Sequence, residues 1–345
     1  MIKMFNEICD EPNVLRGIEA VNDNTLESIA KKIGELGITH VIFSGRGTSD
    51  HAGIYGQYLF QIFCGMSTGL ATPSAISLYG AKNCFKNCLV IAISQSGFAA
   101  DALEVIKTAK KSGAVTVTIT NDLSSPLAQQ ADYCLYCAAG PEISVAATKT
   151  FTSELALVYL LAMRISGKKD HGKLIMVADA VEKIISEKGK IIKETAEKYL
   201  NTTEGFVLSR GIMYPVALET ALKIQETCYI KMKGYAVSDF YHGPIAQIES
   251  DIATIVYVAS GAAEQDSADA VDRLISIGNR PLVVTDNPKF KRKYNEVLVL
   301  PDCGDEFLKP LVFASFAQLL ALNLCISRGG NPDSPRNLKK VTVTK

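Results

Sequence analysis

No excess of charge of either sign marks this 345-residue chain, in which 36 lysines and arginines balance 36 aspartates and glutamates. A nucleic-acid binder would normally carry a basic surplus, so neither DNA nor RNA is expected as a partner. The opening stretch, M-I-K-M-F-N-E-I-C-D-E-P, has acidic residues where a signal peptide would have its apolar core. Long hydrophobic runs are scarce too. The longest, Leu311 to Ile326, spans 16 residues and contains Gln318 and Asn323, which favours a buried helix over a membrane span. The nine cysteines form no disulfide framework, and the pairs Cys84/Cys88 and Cys134/Cys137 have no second pair or histidine at zinc spacing. Reduced, mostly buried thiols in a cytoplasmic protein are expected, with no metal. No G-x-x-x-x-G-K-[ST] loop occurs, which removes a P-loop nucleotide site.

What the chain does have is a duplication. Its 48% hydrophobic content is enough for two ordinary domains at this length. Apolar runs ending in Ser, Thr or Gly recur at 41–45 (V-I-F-S-G), 90–94 (V-I-A-I-S), 116–122 (T-V-T-I-T-N-D) and 133–138 (Y-C-L-Y-C-A). A second set follows at 206–211, 255–261, 282–287 and 297–301, with helical stretches such as 102–111 and 268–275 between most of them. Continuous β-branched runs alternating with helices predict buried parallel strands in βαβ units. The spacing repeats: Ser94 and Thr120 lie 50 and 76 residues beyond Ser44, and Ser260 and Thr285 lie 51 and 76 beyond Ser209. Two copies of one α/β unit are therefore expected, at 1–168 and 201–330. A charged connecting helix is expected over 169–200, with Val181, Ile184, Ile185, Ile191 and Ile192 as its apolar stripe, and a polar tail over 331–345.

In parallel α/β sheets, ligands bind beyond the carboxyl ends of the strands, against helix N-termini. The first copy places two hydroxyl-rich turns there: S-G-R-G-T-S-D-H (44–51), with Thr48 and Ser49 opening a helix, and S-Q-S-G (94–97). Glycine lets the backbone close on an anion, and hydroxyls with free amides can hold phosphate oxygens without a formal positive charge. One such turn alone reads as a helix cap; two at successive strand ends point to a phosphate site. The equivalent turns of the second copy, S-R-G-I-M-Y and A-S-G-A-A, are poorer in hydroxyls. That copy has instead A-L-E-T-A-L-K-I-Q-E (217–226), followed by Y-H-G-P (241–244). Read as a helix, it sets Glu219, Lys223 and Glu226 within about 60° of one another. Two carboxylates and an ammonium on one stripe make either a buried salt bridge or an acid/base group, and on the helix alone the salt bridge is the commoner outcome.

Together with A-G-P-E-I-S-V-A-A-T-K-T-F-T (139–152) and the tail P-R-N-L-K-K-V-T-V (335–343), these blocks resemble the double sugar-isomerase (SIS) domain family. The resemblance runs in order from about residue 40 to the C-terminus, and is to the isomerase half of glucosamine-6-phosphate synthase and to SIS-type glucosamine-6-phosphate deaminases. It implies an α/β fold of two tandem SIS domains, each a parallel sheet flanked by helices in a flavodoxin-like three-layer sandwich. It implies that Gly47, Thr48, Ser49, Ser94, Gln95, Ser96 and Val145 bind a sugar phosphate. Glu226 would be the base that moves a proton between C1 and C2, with Lys223 and Glu219 as its neighbours. His242 would open the ring, and Lys340 of the tail would engage the carbonyl carbon. The residue types suit those roles. Proton transfer next to a carbonyl needs a carboxylate with a raised pKa, ring opening a group titrating near pH 7, and amine chemistry a lysine with a depressed pKa. No organic cofactor is implied. A homodimer with shared active sites is, with His242 of one subunit serving Glu226 of the other.

Three departures bear on function. Phe98 and Ala99 stand where the family often has a second hydroxyl after S-Q-S-G, and Ala147 replaces a usual serine. The chain opens at Met1-Ile2 without an amidotransferase half. It is thus expected to run outward, deaminating glucosamine 6-phosphate to fructose 6-phosphate and ammonia. A fructosamine-6-phosphate deglycase is the near alternative. A non-catalytic sugar-phosphate sensor is the alternative of another class, although a sensor has no need of Glu226, His242 and Lys340 together.

Overall fold

The computed structural model describes residues 2–340, so the last part of the tail motif, V-T-V at 341–343, lies outside the described residues. Two five-stranded parallel sheets organise the chain. The first is built from β1 (His40–Ser44), β2 (Ser67–Leu70), β3 (Cys88–Ile93), β4 (Val115–Thr120) and β5 (Tyr133–Tyr136), in the order β2-β1-β3-β4-β5. The second uses β6 (Glu204–Ser209), β7 (Lys231–Ala236), β8 (Ala253–Val258), β9 (Leu282–Thr285) and β10 (Val297–Val299), in the order β7-β6-β8-β9-β10. Both sheets therefore have one topology, 2-1-3-4-5, as a duplication requires. Helices α1 (Lys3–Leu36), α2 (Thr48–Cys64), α3 (Pro73–Ser77), α4 (Ala100–Lys111), α5 (Pro126–Gln130) and α6 (Lys149–Ile165) accompany the first set. With the second set come α7 (Lys173–Lys183), α8 (Gly189–Glu197), α9 (Tyr214–Cys228), α10 (Val237–Tyr241), α11 (Glu264–Ser276) and α12 (Lys309–Ser327).

The central strands β4 and β8 are buried along their whole length, which is why they read as unbroken β-branched runs. The buried threonines of β4 are satisfied within the sheet: Thr118 Oγ1 donates to the Ala92 carbonyl at 3.2 Å, and Thr116 Oγ1 to Asp132 at 2.7 Å. Two strands escape the sequence reading, β2 and β7. Both are edge strands whose sequences, S-T-G-L and K-M-K-G-Y-A, lack the continuous apolar run that the other two edge strands, β5 and β10, carry. Helix α12 is apolar and long enough to cross a bilayer by composition, yet 83% of that apolar stretch is buried inside the protein. The expectation of a buried helix there holds.

Compact units cut across the expected domain boundaries. One unit holds 13–142, 149–174 and tail residues 339–340; the other holds 2–12, 143–148 and 175–338. Residues 2–12, assigned to the first domain from sequence, are thus grouped with the second sheet. Polar contacts explain this: the Lys3 and Met4 amides donate to Asp333 at 2.9 and 2.8 Å, and Ser315 of α12 donates to Glu11. The connector 169–200 forms α7, a π-helical turn at Ile184–Lys188 and α8, and from residue 175 it is part of the second unit. The π turn alters the helical phase, so Val181, Ile184 and Ile192 are buried while Ile191, expected on the same stripe, is 44% exposed.

Candidate active site

In a sheet of order 2-1-3-4-5 the strand order reverses between the first and third strands, and the carboxyl ends of that pair frame the ligand crevice. In the first sheet those ends are Ser44 of β1 and Ile93 of β3, so the turns 44–49 and 94–97 flank this point. Gly47 is the N-cap of α2 with φ 54°, a conformation that a side chain would strain, and it leaves the helix start without a side-chain cap. Gly97 has φ 69°, and a Cβ there would lie 2.0 Å from Ser125 Oγ. Only glycine fits this turn.

Within the second turn, Ser94 Oγ accepts from the Gly97 amide at 3.2 Å and Ser96 Oγ accepts from the Phe98 amide at 3.3 Å. Each hydroxyl is oriented as an acceptor and keeps its own proton to donate to an anion. The Gln95 carbonyl is tied to the end of β4 by the Asn121 amide at 3.0 Å and Thr120 Oγ1 at 3.2 Å. Ala99 caps α4 without a side-chain hydrogen bond, and Phe98 is exposed, so the missing hydroxyl is replaced by nothing polar on that segment.

The first turn differs from expectation. The Ser49 amide donates to the Arg46 carbonyl, and the Asp50 and His51 amides to that of Gly47, at 3.0–3.2 Å, so these three amides are already used. Buried Ser49 donates its hydroxyl to Glu154 Oε1 of α6 at 3.0 Å. A hydroxyl has one hydrogen, so Ser49 must rotate away from Glu154 before it can donate to a phosphate. Thr48, half-buried, opens α2 beside it.

Besides Glu154, three residues of this unit went unassigned in the sequence. Arg46 Nε pairs with buried Asp101 Oδ2 at 2.7 Å, linking the first turn to the start of α4 behind the second. Arg46 was visible inside S-G-R-G-T-S, but nothing local identified its partner 55 residues away. The third is Glu142, whose side chain has no exposed surface. It accepts from the Thr150 amide and hydroxyl at 3.1 and 2.8 Å and from Lys340 Nζ at 2.8 Å. Lys340 is thus in the same compact unit as both hydroxyl turns.

The second unit holds the carboxylate helix. Helix α9 lies against β6, β7 and α12, with Thr220 Oγ1 2.6 Å from the Tyr257 hydroxyl. Lys223 is fully buried between two carboxylates, 3.3 Å from Glu219 and 2.6 Å from Glu226. Burial works against the ammonium, but the two carboxylates and their hydrogen bonds override it and hold the Lys223 pKa above the ordinary lysine range. Glu219 is buried with it, whereas the Glu226 side chain is 22% exposed. The outer end of the stripe is Glu226.

Val145 also belongs to this unit, half-buried in the loop 143–148. That loop is held by Glu7 of α1, which accepts from the Ile143 amide, the Ser144 amide at 3.1 Å and the Ser144 hydroxyl, and by Gln318 donating to the Thr148 carbonyl at 3.2 Å. His242, the residue that ends α10, is exposed, and its imidazole makes no hydrogen bond among the described residues. The turn after β8, counterpart of S-Q-S-G, is filled by the chain itself. Asp286 accepts from the Ser260 amide at 2.7 Å and from its hydroxyl, buried Lys309 pairs with Asp286, and Glu306 accepts from the Ala262 amide at 2.7 Å. Carboxylates of this unit thus take up the Ser260 and Ala262 donors of this turn.

Residues 38–164 match the SIS domain family model. A glutamine–fructose-6-phosphate aminotransferase (isomerizing) from Methanothermobacter thermautotrophicus is 34% identical over 343 residues, covering 99% of this chain and 57% of that protein. The chain therefore spans little more than half the length of this curated relative. Among solved structures, the C-terminal domain of glucosamine-fructose-6-phosphate aminotransferase from Francisella tularensis superimposes with a TM-score of 0.84 at 24% identity, over 97% of this chain and 98% of that one. The glucosamine-6-phosphate deaminase of Thermotoga maritima gives a TM-score of 0.77 at 22% identity, over 99% and 100%. Those two likenesses establish the fold. With a parallel α/β unit occurring twice and hydroxyl turns at the strand-order reversal of the first, the class is that of the SIS proteins. Over residues 38–164 this chain belongs to the SIS domain family.

Proposed function

We propose that the chain is a phosphosugar aldose–ketose isomerase acting on an amino-sugar phosphate, and that it deaminates glucosamine 6-phosphate to fructose 6-phosphate and ammonia. One observation carries the reading: α9 surrounds a buried ammonium with two carboxylates, and of these three groups only Glu226 is partly exposed. A structural ion pair is complete with Glu219 alone. In this reading the second carboxylate, at the surface end of the stripe, serves as the base, and its ion pair with Lys223 supports that role. The names of the aminotransferase relative and of the deaminase neighbour support an amino-sugar phosphate.

The steps follow from the residues. Ser94 and Ser96 donate to the phosphate, joined by Thr48. His242 opens the pyranose, giving a free aldehyde at C1. Glu226 takes the C2 proton and returns one to C1, which leaves an imine at C2. Lys340, held by Glu142 as an ammonium, gives a proton to the C2 imine nitrogen, attacks C2 as the neutral amine and displaces ammonia, and water then frees the ketose. In sum, the amino-sugar phosphate and one water give ketose phosphate and ammonia. The working unit is a homodimer in which His242 serves the neighbouring subunit, a reading supported by its exposed imidazole. Nine free cysteines fit a reducing, cytoplasmic setting.

The test is a panel of amino-sugar and fructosamine phosphates, assayed for ammonia and for ketose phosphate. Equal amounts of ammonia and fructose 6-phosphate from glucosamine 6-phosphate are expected. Amino-acid release from fructosamine phosphates alone would make the protein a deglycase, and binding without turnover would make it a sensor.

A further inference from the structure

We propose that Glu142 is the positioning residue for the reactive amine: it holds Lys340 of the tail in one place and orientation for attack at C2. The inference rests on the amine role proposed for Lys340. Residues 338–340 are in neither helix nor strand, and a lysine on such a segment would spread over many rotamers. Here it does not, because Lys340 Nζ lies 2.8 Å from Glu142 Oε2 across 198 residues of sequence.

The carboxylate is itself fixed. Its side chain has no exposed surface, and the Thr150 amide and hydroxyl both donate to it. Thr150 is the second residue of the 17-residue α6, so the carboxylate sits at a helix N-terminus, where a negative charge is favoured. The same helix carries Glu154, which receives the Ser49 hydroxyl. One helix thus supports both the first hydroxyl turn and the anchor of the lysine. The lysine side chain remains 25% exposed, so the anchor leaves it open to a substrate.

The experiment traps the amine directly. The Lys340 amine and the fructose 6-phosphate ketone form an imine with loss of water, and borohydride adds hydride to its carbon to leave a stable secondary amine. Full-length wild type, Glu142→Gln and Glu142→Asp are each treated with fructose 6-phosphate and borohydride, and peptide mass spectrometry counts Lys340 adducts. In parallel, NMR follows loss of the C2 hydrogen of glucosamine 6-phosphate, a step assigned to Glu226. Losing a hydrogen bond between charged groups should cut the trapping rate of Glu142→Gln about ten- to a hundredfold, with hydrogen transfer within about twofold of wild type. Glu142→Asp, which keeps the charge, should recover most of the trapping. The proposal is overturned if Glu142→Gln traps as fast as wild type, if trapping and hydrogen transfer fall together in both variants, or if wild type forms no Lys340 adduct. Absence of hydrogen transfer in wild type would instead sink the isomerase reading, because trapping does not depend on it.

Discussion

Lys223 and Glu226 are neighbours on α9, yet their replacement should have opposite consequences. Lys223→Met would leave Glu219 buried without its counter-charge, and breaking a buried pair from one side typically costs ~3–5 kcal/mol. Urea denaturation should show a loss of that size. Glu226→Gln, at the exposed end, should change stability little and cut turnover by ~10²–10⁴, the usual contribution of a general base. Asp286 gives a pH signature. Burial would raise its pKa, but hydrogen bonds from Lys309 and from the Ser260 hydroxyl and amide outweigh burial and set it below the ordinary aspartate value. A depressed carboxylate contributes stability above its unfolded pKa and loses it as pH falls through the folded one. Asp286→Asn should therefore be less stable than wild type at neutral pH, and the two stability curves should converge in the acid range below about pH 4. A gap that stays constant down to the acid limit would show that the carboxylate's charge is not what counts.

Helix α4 and the turn before it show how a loop position is set by the element behind it. Gly97→Ala puts a methyl group against Ser125 at φ 69°, a strain of order 1–3 kcal/mol, so phosphate or sugar-phosphate affinity should fall in calorimetric titration while α9 chemistry is untouched. Sequence patterning located the elements buried on both sides. V-I-A-I is apolar on both faces and T-V-T-I-T is β-branched throughout, because both faces of the sheet are covered. Edge strands β2 and β7 carry no such signal, and the π turn at Ile184–Lys188, which moves Ile191 outward, has no periodic signature at all. The hydroxyl turns were legible because glycine and serine spacing encodes their local geometry. The residues that tune them, Asp101, Glu142 and Glu154, were not, since each meets its partner only after the chain has folded.

As a whole molecule, the duplicated fold separates two tasks. The first unit has hydroxyl-rich turns at its reversal of strand order, while in the second the matching turn is filled by Asp286 and Glu306 and the adjacent α9 carries the carboxylates. If the working form is a dimer with His242 supplied in trans, mixing inactive Glu226→Gln with inactive His242→Asn should restore activity. Random exchange makes roughly half the dimers mixed, each with one intact site of two, so about a quarter of wild-type activity is expected. A mixture that stays inactive although exchange is demonstrated would place His242 in its own subunit's chemistry.

The central claim is that Glu226 moves a proton on a phosphosugar. Its most direct test follows the C2 hydrogen of glucosamine 6-phosphate by NMR in deuterated water, with wild type and Glu226→Gln side by side. The wild-type protein should remove that hydrogen from C2, passing it to C1 or to solvent, at least about a hundredfold faster than the variant. A hydrogen that stays on C2 in the presence of wild type, or that leaves within tenfold of the same rate in Glu226→Gln, would contradict the account.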